Sequence, residues 1–274
     1  MISSQKKCAV LIPIYTLNLS ESELLAIRKN LSILSDWPQI VLAPLKLEDK
    51  IEKSLFSRIN GDREYIYLDD KHFDDVTSYD QLLRQRWFYE MFTMFEYILL
   101  IQTDVIIFRD EVKAWIEKAY SYIGAPWVID NGNENESYEV GNGGLSLRRI
   151  PDFLKALDKI ALMKCPSWYL QKLGYPRLTH FFVQYLFGFN RWVWPRKIHE
   201  DFFWSQLIPS ICKDFRVAST DDAFLFSIEV VPSTLSRNLF KQTPFGLHAW
   251  EKHLADVDQR FVLDFISSSK RVSL

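Results

Sequence analysis

The chain has 274 residues, of which 48% are hydrophobic and 25% charged, so it can build one large core and is not disordered along its whole length. Its net charge of −2 gives no overall attraction to nucleic acid. The three cysteines show neither a disulfide framework nor metal spacing, and no segment reaches the roughly 20 apolar residues that span a bilayer. We therefore expect a cytoplasmic protein, in which the sequons at Asn18, Asn30 and Asn135 are accidental.

The first half of the chain alternates apolar segments with helical ones. Ser20 and Glu23 form a capping-box pattern that opens a helix to about residue 35, and a second helix is predicted from about Tyr79 to Met94. This alternation predicts an α/β fold with a mostly parallel central sheet flanked by helices, whose ligands bind beyond the carboxyl ends of the strands. The predicted strands are residues 8–15, 39–45, 64–68, 97–101 and 105–108.

The second half is less regular. Residues 122–127 resemble a strand that runs into a turn, and the acidic, Asn-rich residues 130–139 resemble a mobile loop. Three glycines surround Asn142 in residues 141–144, and the alternating pattern up to Arg148 predicts a strand. A helix is predicted at 151–163, and another begins at Glu200 or Asp201.

Two loop segments carry candidate binding residues. Gln102, Thr103 and Asp104 separate two apolar strands, where a carboxylate could hold a hard divalent cation beside a diphosphate, or simply cap a turn. The glycine-rich loop, with Asn142, Gly143 and Gly144, permits close approach of a ligand but does not open a helix as phosphate loops do. The competing interpretation of that loop is a hairpin turn.

Two further segments carry candidate catalytic or metal-binding residues. Glu200 and Asp201 could supply an acceptor ligand and a general base, or could simply be favourable charges at a helix start. His248, among apolar residues and followed by Trp250, could bind a manganese-like ion, or could be a satisfied core histidine.

Taken in order, these four segments resemble an uncharacterised-domain family of GT-A (Rossmann-like) glycosyltransferase-like proteins. The resemblance spans roughly residues 79–250, and residues 8–68 fit the expected nucleotide-binding half more loosely. The layout is also similar to Fringe-type and β-1,4-galactosyltransferase enzymes. The matching stretches are 79–104, 123–127, 141–148, 200–203 and 245–250.

The resemblance implies a division of roles among the candidate residues. Asp104 and His248 would hold Mn²⁺ or Mg²⁺ on the donor diphosphate, and Asp201 would be the base while Glu200 orients the acceptor. Gln102 replaces the first acidic residue of the Asp-x-Asp metal motif of the Fringe-type and β-1,4-galactosyltransferase enzymes, which leaves metal independence as the alternative. The remaining donor-binding residues would be Tyr15 and Thr16 at the end of the first strand and Asn142, Gly143 and Gly144 around the sugar.

Residues 159–197 contain seven Lys or Arg, no Asp or Glu, and many aromatic residues. Such a segment suits peripheral contact with an anionic membrane surface, here the inner face of the cytoplasmic membrane. The alternative is that the rings form a wall of the acceptor site or pack over the core.

We therefore expect one GT-A domain over residues 1–274, with a nucleotide-binding half to about 110 and an acceptor-binding half after it. The expected activity is transfer of a sugar, with inversion, from a nucleotide-sugar donor, UDP-sugar foremost, to a glycan or lipid-linked glycan. The expected setting is bacterial surface polysaccharide synthesis, such as that of lipopolysaccharide. A retaining enzyme and a non-catalytic glycan-binding protein are the alternatives; a nucleotidyltransferase would need a basic glycine-rich loop after the first strand.

Overall fold

A six-stranded sheet forms the centre of the protein. The computed structural model describes residues 6–56, 62–129, 137–161, 198–229, 243–253 and 256–267. Its strands are β1 (Lys6–Pro13), β2 (Gln39–Pro44), β3 (Glu64–Leu68), β4 (Phe95–Ile101), β5 (Val105–Ile107), β6 (Tyr122–Gly124), β7 (Pro126–Ile129), β8 (Ser137–Val140), β9 (Leu145–Arg149), β10 (Ser227–Ile228) and β11 (Gly246–His248).

The sheet has the strand order β3-β2-β1-β4-β9-β6 and is mostly parallel, as predicted. β3, β2, β1 and β4 run parallel, whereas β9 runs antiparallel to both β4 and β6. Ile101 at the end of β4 is therefore paired with Leu145 at the start of β9. The loops that follow β1 and β4 and the loop that precedes β9 consequently meet at one edge of the sheet.

Two smaller sheets complete the strand pairing. β7 pairs with β8, and β11 lies between β10 and β5. β11 is antiparallel to β5 and places His248 opposite Val105, directly after the loop that ends β4. The late histidine is thereby brought next to Asp104, although 144 positions separate the two in the sequence.

Helices cover both faces of the central sheet. Alternate residues of β1 enter different cores: Leu11 packs in one cluster with Leu82 and Phe153, and Val10 in the other with Ile27. A strand buried on both faces is apolar at nearly every position, which explains the continuous apolar runs. The helices are α1 (Glu21–Ile33), α2 (Val76–Leu82), α3 (Arg86–Glu90), α4 (Val112–Glu117), α5 (Ile150–Ala161), α6 (Glu200–Phe202), α7 (Ile208–Ile211), α8 (Thr220–Phe226), α9 (Trp250–His253) and α10 (Asp256–Ser267), with 3₁₀ turns at Leu45–Leu47 and Asp70–Phe73 and π-helical turns at Glu52–Phe56 and Phe203–Leu207.

α1 begins with the predicted capping box and is fixed to the sheet by a buried asparagine. The Ser20 hydroxyl accepts from the Glu23 amide, and the Glu23 carboxylate accepts from the Ser20 amide. Asn30 is 1% exposed; its amide group donates to the Val105 carbonyl at 2.7 Å and accepts from the Ile107 amide at 2.8 Å. Both polar atoms of the Asn30 side chain thus form hydrogen bonds to β5 inside the fold.

The single helix predicted from Tyr79 to Met94 is wrong, because the chain forms two short helices, α2 and α3, with an extended residue, Gln85, between them. The Leu83 carbonyl accepts from the Tyr89 hydroxyl at 2.6 Å and from the Trp204 indole at 3.0 Å. These two aromatic donors satisfy the Leu83 carbonyl, so this acceptor stays paired although the helix is interrupted.

The loop predicted over 130–139 is partly wrong. Residues 137–139 belong to β8, which is paired with β7, and residues 130–136 lie outside the described residues. Most of the basic aromatic segment, residues 162–197, also lies outside them, as do Cys165 and Asn135, so its predicted membrane contact stays a prediction. Among the residues that are described, no helix is long and apolar enough to cross a bilayer.

Replacing Asn30 by Leu is expected to lower the free energy of unfolding by about 2–3 kcal/mol, because the Val105 carbonyl and the Ile107 amide would both lose a buried partner. Urea denaturation would measure the change. Ser32→Ala, at an exposed position of the same helix, is the matched control and is expected to change the value by less than about 0.5 kcal/mol. Equal midpoints for the two variants would contradict this role of Asn30.

Candidate functional site

A cavity of about 490 Å³ lies at the sheet edge where the loops after β1 and β4 meet the loop before β9. All of the predicted site residues except Thr16 line it. Thr16 is exposed, and its hydroxyl accepts from the Asn18 amide. The lining residues are Tyr15, Phe73, Asp75, Val76, Tyr79, Asp80, Gln102, Thr103, Asp104, Asn142, Gly143, Gly144, His199, Glu200, Asp201, His248 and Lys252.

One corner of the cavity gathers three possible ligands for a cation. The Nε2 atom of His248 lies 3.2 Å from Oε1 of Gln102 and 3.3 Å from Oδ1 of Asp104. The Gln102 amide is held in place because its Nε2 donates to the Tyr15 hydroxyl at 3.2 Å. An imidazole nitrogen, a carboxylate and an amide oxygen so close together fit a divalent ion such as Mn²⁺. Within the described ranges, no group of three His, Cys, Asp or Glu side chains is arranged to hold a metal.

His248 carries a positive charge at this corner. Burial lowers the pKa of the imidazole, but contacts with Asp104 and Glu229 outweigh burial and raise the pKa to about 9. Burial likewise raises the pKa of Asp104, yet the hydrogen bond and charge of His248 bring it below its ordinary value. A cation bound at Nε2 must therefore displace a proton. Lys252 adds a second positive charge, with Nζ 3.7 Å from Oδ2 of Asp104.

The glycine-rich loop is packed between His248 and Glu200. Asn142 adopts a positive φ of 38°, and its side-chain oxygen accepts from the Gly144 amide at 3.1 Å. A Cβ atom on Gly144 would collide with the His248 ring, and one on Gly143 would collide with the Glu200 carboxylate. The loop therefore needs both glycines in order to let these two side chains reach the cavity.

Glu200 is engaged by a buried arginine that the sequence prediction missed. Its Oε1 lies 2.8 Å from Nη2 of Arg148 and its Oε2 lies 3.1 Å from Nη1, with the Arg148 side chain fully buried. The remaining donors of Arg148 reach the Ser146 hydroxyl and the Tyr89 hydroxyl. Both Glu200 oxygens are thus committed to Arg148. The available signal was the strand pattern, since Ser146 and Arg148 alternate with two leucines on β9.

Asp201, unlike Glu200, forms no ion pair with any residue in the described part of the chain. Burial raises its pKa, the negative charge of Glu200 raises it further, and the result is about 7 although one oxygen accepts from the Phe202 amide at 2.7 Å. Nearby, Asp80 lies 3.0 Å from Nδ1 of His199, and burial together with the charge of Glu200 raises the Asp80 pKa as well. A carboxyl group that titrates near neutrality in a cavity can remove a proton from a bound hydroxyl.

Comparison with known proteins gives the family and the fold. The family model described as "Protein of unknown function (DUF5672)" matches residues 62–248, more than half of the chain. No curated protein matches the sequence.

Two solved structures share the fold at low identity. The galactosyltransferase LgtC, in complex with donor and acceptor sugar analogues, matches with a TM-score of 0.52 and 10% identity over 96% of this chain and 98% of LgtC. Mouse xyloside xylosyltransferase 1, in its apo form, matches with a TM-score of 0.50 and 12% identity over 89% of this chain and 97% of the mouse chain. The chain thus belongs to the DUF5672 family of proteins of unknown function, and its fold is that of the GT-A glycosyltransferases.

Proposed function

We propose that the protein is a glycosyltransferase that uses a nucleotide-sugar donor, a UDP-sugar foremost, and transfers the sugar to a hydroxyl of a glycan or lipid-linked glycan. One observation carries the proposal: Gln102, Asp104 and His248 converge at a corner that can hold a cation, in the same cavity as Asp201, an ionisable carboxyl group. The cavity volume is within the range of about 300–1,000 Å³ that is usual for small-molecule sites.

The donor diphosphate would lie at the corner formed by Gln102, Asp104 and His248. Asp104, His248 and the amide oxygen of Gln102 would hold a divalent ion, Mn²⁺ or Mg²⁺. Such an ion supplies positive charge that neutralises the departing nucleoside diphosphate. Lys252 adds charge of the same sign, and Asn142, Gly143 and Gly144 would line the sugar. Tyr15 holds Gln102 through its hydroxyl and closes the end of this corner that faces β1.

Asp201 would be the general base that removes the proton from the acceptor hydroxyl. Its carboxylate form is available at neutral pH because the pKa is about 7, and its basicity is higher than that of an ordinary aspartate. Glu200 would act indirectly, because both of its oxygens accept hydrogen bonds from Arg148. The negative charge of Glu200 adds to burial in raising the pKa of Asp201. Direct attack by the acceptor would invert the anomeric carbon; retention in the product would show that Asp201 has another role.

We place this activity in the synthesis of a bacterial surface polysaccharide, with peripheral membrane contact through residues 159–197. The support is the composition of that segment, whose basic and aromatic residues suit an anionic membrane surface. The alternative, a glycan-binding protein without catalysis, is supported by Gln102 at a metal position. Release of nucleoside diphosphate from a panel of nucleotide sugars in the presence of Mn²⁺ separates the two: the transferase hydrolyses one donor slowly, and the binding protein hydrolyses none.

Asp104→Asn is expected to reduce donor turnover at least about 100-fold, because the substitution removes charge stabilisation where the diphosphate departs. Melting temperature should stay near the wild-type value, since Asp104 contacts His248 and Lys252 rather than the core. Asp36→Asn, at an exposed position, is the matched control and should retain full turnover. Wild-type turnover of the Asp104→Asn protein would remove this residue from the site.

Gln102→Glu is expected to tighten Mn²⁺ binding about tenfold, because a second carboxylate of the same length replaces the neutral amide next to His248 Nε2. Calorimetric titration with Mn²⁺ alone measures the affinity. His248→Ala should shift it in the opposite direction and raise the Mn²⁺ concentration needed for half-maximal activity. Unchanged affinity in both variants, or full wild-type activity in a chelator, would refute the metal site.

Asp201→Asn is expected to reduce transfer about 100- to 10,000-fold while nucleotide affinity survives. In the wild-type protein the rate should rise with pH through about 7, because the raised pKa of Asp201 keeps the group protonated, and inactive as a base, below that value. The residual rate of the variant should lack this rise. Near-wild-type transfer would rule out the base, and loss of nucleotide binding would place Asp201 on the donor side of the cavity.

A further inference from the structure

Glu229 lies behind His248, on the side of the ring that faces away from the cation corner. Its Oε1 is 3.4 Å from Nδ1 of His248, an ion-pair contact without the alignment of a hydrogen bond. The Glu229 side chain is 18% exposed and the His248 side chain 10%, so the contact is largely shielded from water. The other ring nitrogen, Nε2, faces Gln102 and Asp104.

Glu229 cannot bind the same cation as Asp104, because the two carboxylates contact different nitrogens of the His248 ring. The two nitrogens of an imidazole point away from each other, so an ion bound to Nε2 is out of reach of a group that contacts Nδ1. The carboxylate is instead placed as an outer partner of the ring. Metal-binding histidines generally give their second nitrogen to such a group, which fixes the orientation of the ring.

We propose that Glu229 is a positioning residue, which aims Nε2 of His248 at the corner formed by Gln102 and Asp104. It acts through His248 and contacts neither donor nor acceptor. This inference rests on the proposed function, because the orientation of the His248 ring matters only if the corner binds a cation and a diphosphate.

Three substitutions at Glu229 separate position from charge, with Mn²⁺ alone as the probe in calorimetric titration of the full chain. Glu229→Ala removes the carboxylate and should weaken Mn²⁺ binding about 10- to 100-fold. Glu229→Gln keeps an oxygen at the same reach, and its affinity should stay within about threefold of wild type. Glu229→Asp keeps the charge but withdraws it by one methylene, and should lose affinity nearly as Ala does. Glu117→Ala, at an exposed position of α4, is the control and should change nothing.

The opposite ranking, in which Asp retains Mn²⁺ affinity and Gln loses it, would show that Glu229 acts by charge alone and would overturn the proposal. A crystal structure of the Glu229→Ala or Glu229→Asp protein gives a readout that needs no metal. The His248 ring should turn away from Gln102 and Asp104. An unmoved ring would refute the positioning role even if activity fell. Absence of Mn²⁺ binding in the wild-type chain would instead refute the metal site of the proposed function.

Discussion

The buried ion pair between Arg148 and Glu200 is the interaction on which the site depends. Removing two charges from water costs several kcal/mol for each ion, so such a pair persists only where hydrogen bonds satisfy it. Both Glu200 oxygens meet Arg148, and the rest of the guanidinium reaches Ser146 and Tyr89. The pair joins β9 of the central sheet to the start of α6, and so sets where Asp201 stands relative to the glycine-rich loop.

This ion pair also shapes the charge pattern of the cavity. Burial raises the pKa of Asp201 and of Asp80, and the negative charge of Glu200 raises both further, which favours proton binding on that wall. At the corner of Gln102, Asp104 and His248, the positive charges of His248 and Lys252 lie beside the carboxylates of Asp104 and Glu229. One part of the cavity can therefore accept a proton, while the other can bind a cation and, with it, a diphosphate. Sugar transfer from a nucleotide donor requires both functions, because the acceptor hydroxyl must lose a proton and the departing diphosphate must be stabilised.

The strands and α1 could be predicted from sequence because local signals fix them. Residues buried on both faces of a sheet must be apolar, and the Ser20–Glu23 capping box is complete within four residues. The break between α2 and α3 could not be predicted, because the group that satisfies the Leu83 carbonyl from afar is Trp204. The local sequence pattern favours one continuous helix there, but the hydrogen bond from Trp204, 121 positions away, stabilises the interrupted form.

The candidate site was predicted where short motifs carry it and missed where distant contacts do. Gln102, Asp104, Glu200 and Asp201 were visible because polar residues interrupt apolar segments, and Thr16 was included because it follows the end of the first strand. Glu229 was missed because no motif surrounds it. Its position arises from the pairing of β10 with β11, which brings it beside the His248 ring.

The central claim is that the corner of Gln102, Asp104 and His248 receives the donor's diphosphate together with a divalent cation. The most direct test is a crystal of the protein grown with MnCl₂ and UDP, with anomalous diffraction recorded at the manganese edge. The account predicts one strong anomalous peak bonded to Asp104 and His248, with the diphosphate between that peak and Lys252. A UDP molecule bound outside this cavity, or bound within it away from Asp104 with no anomalous peak, would contradict the account.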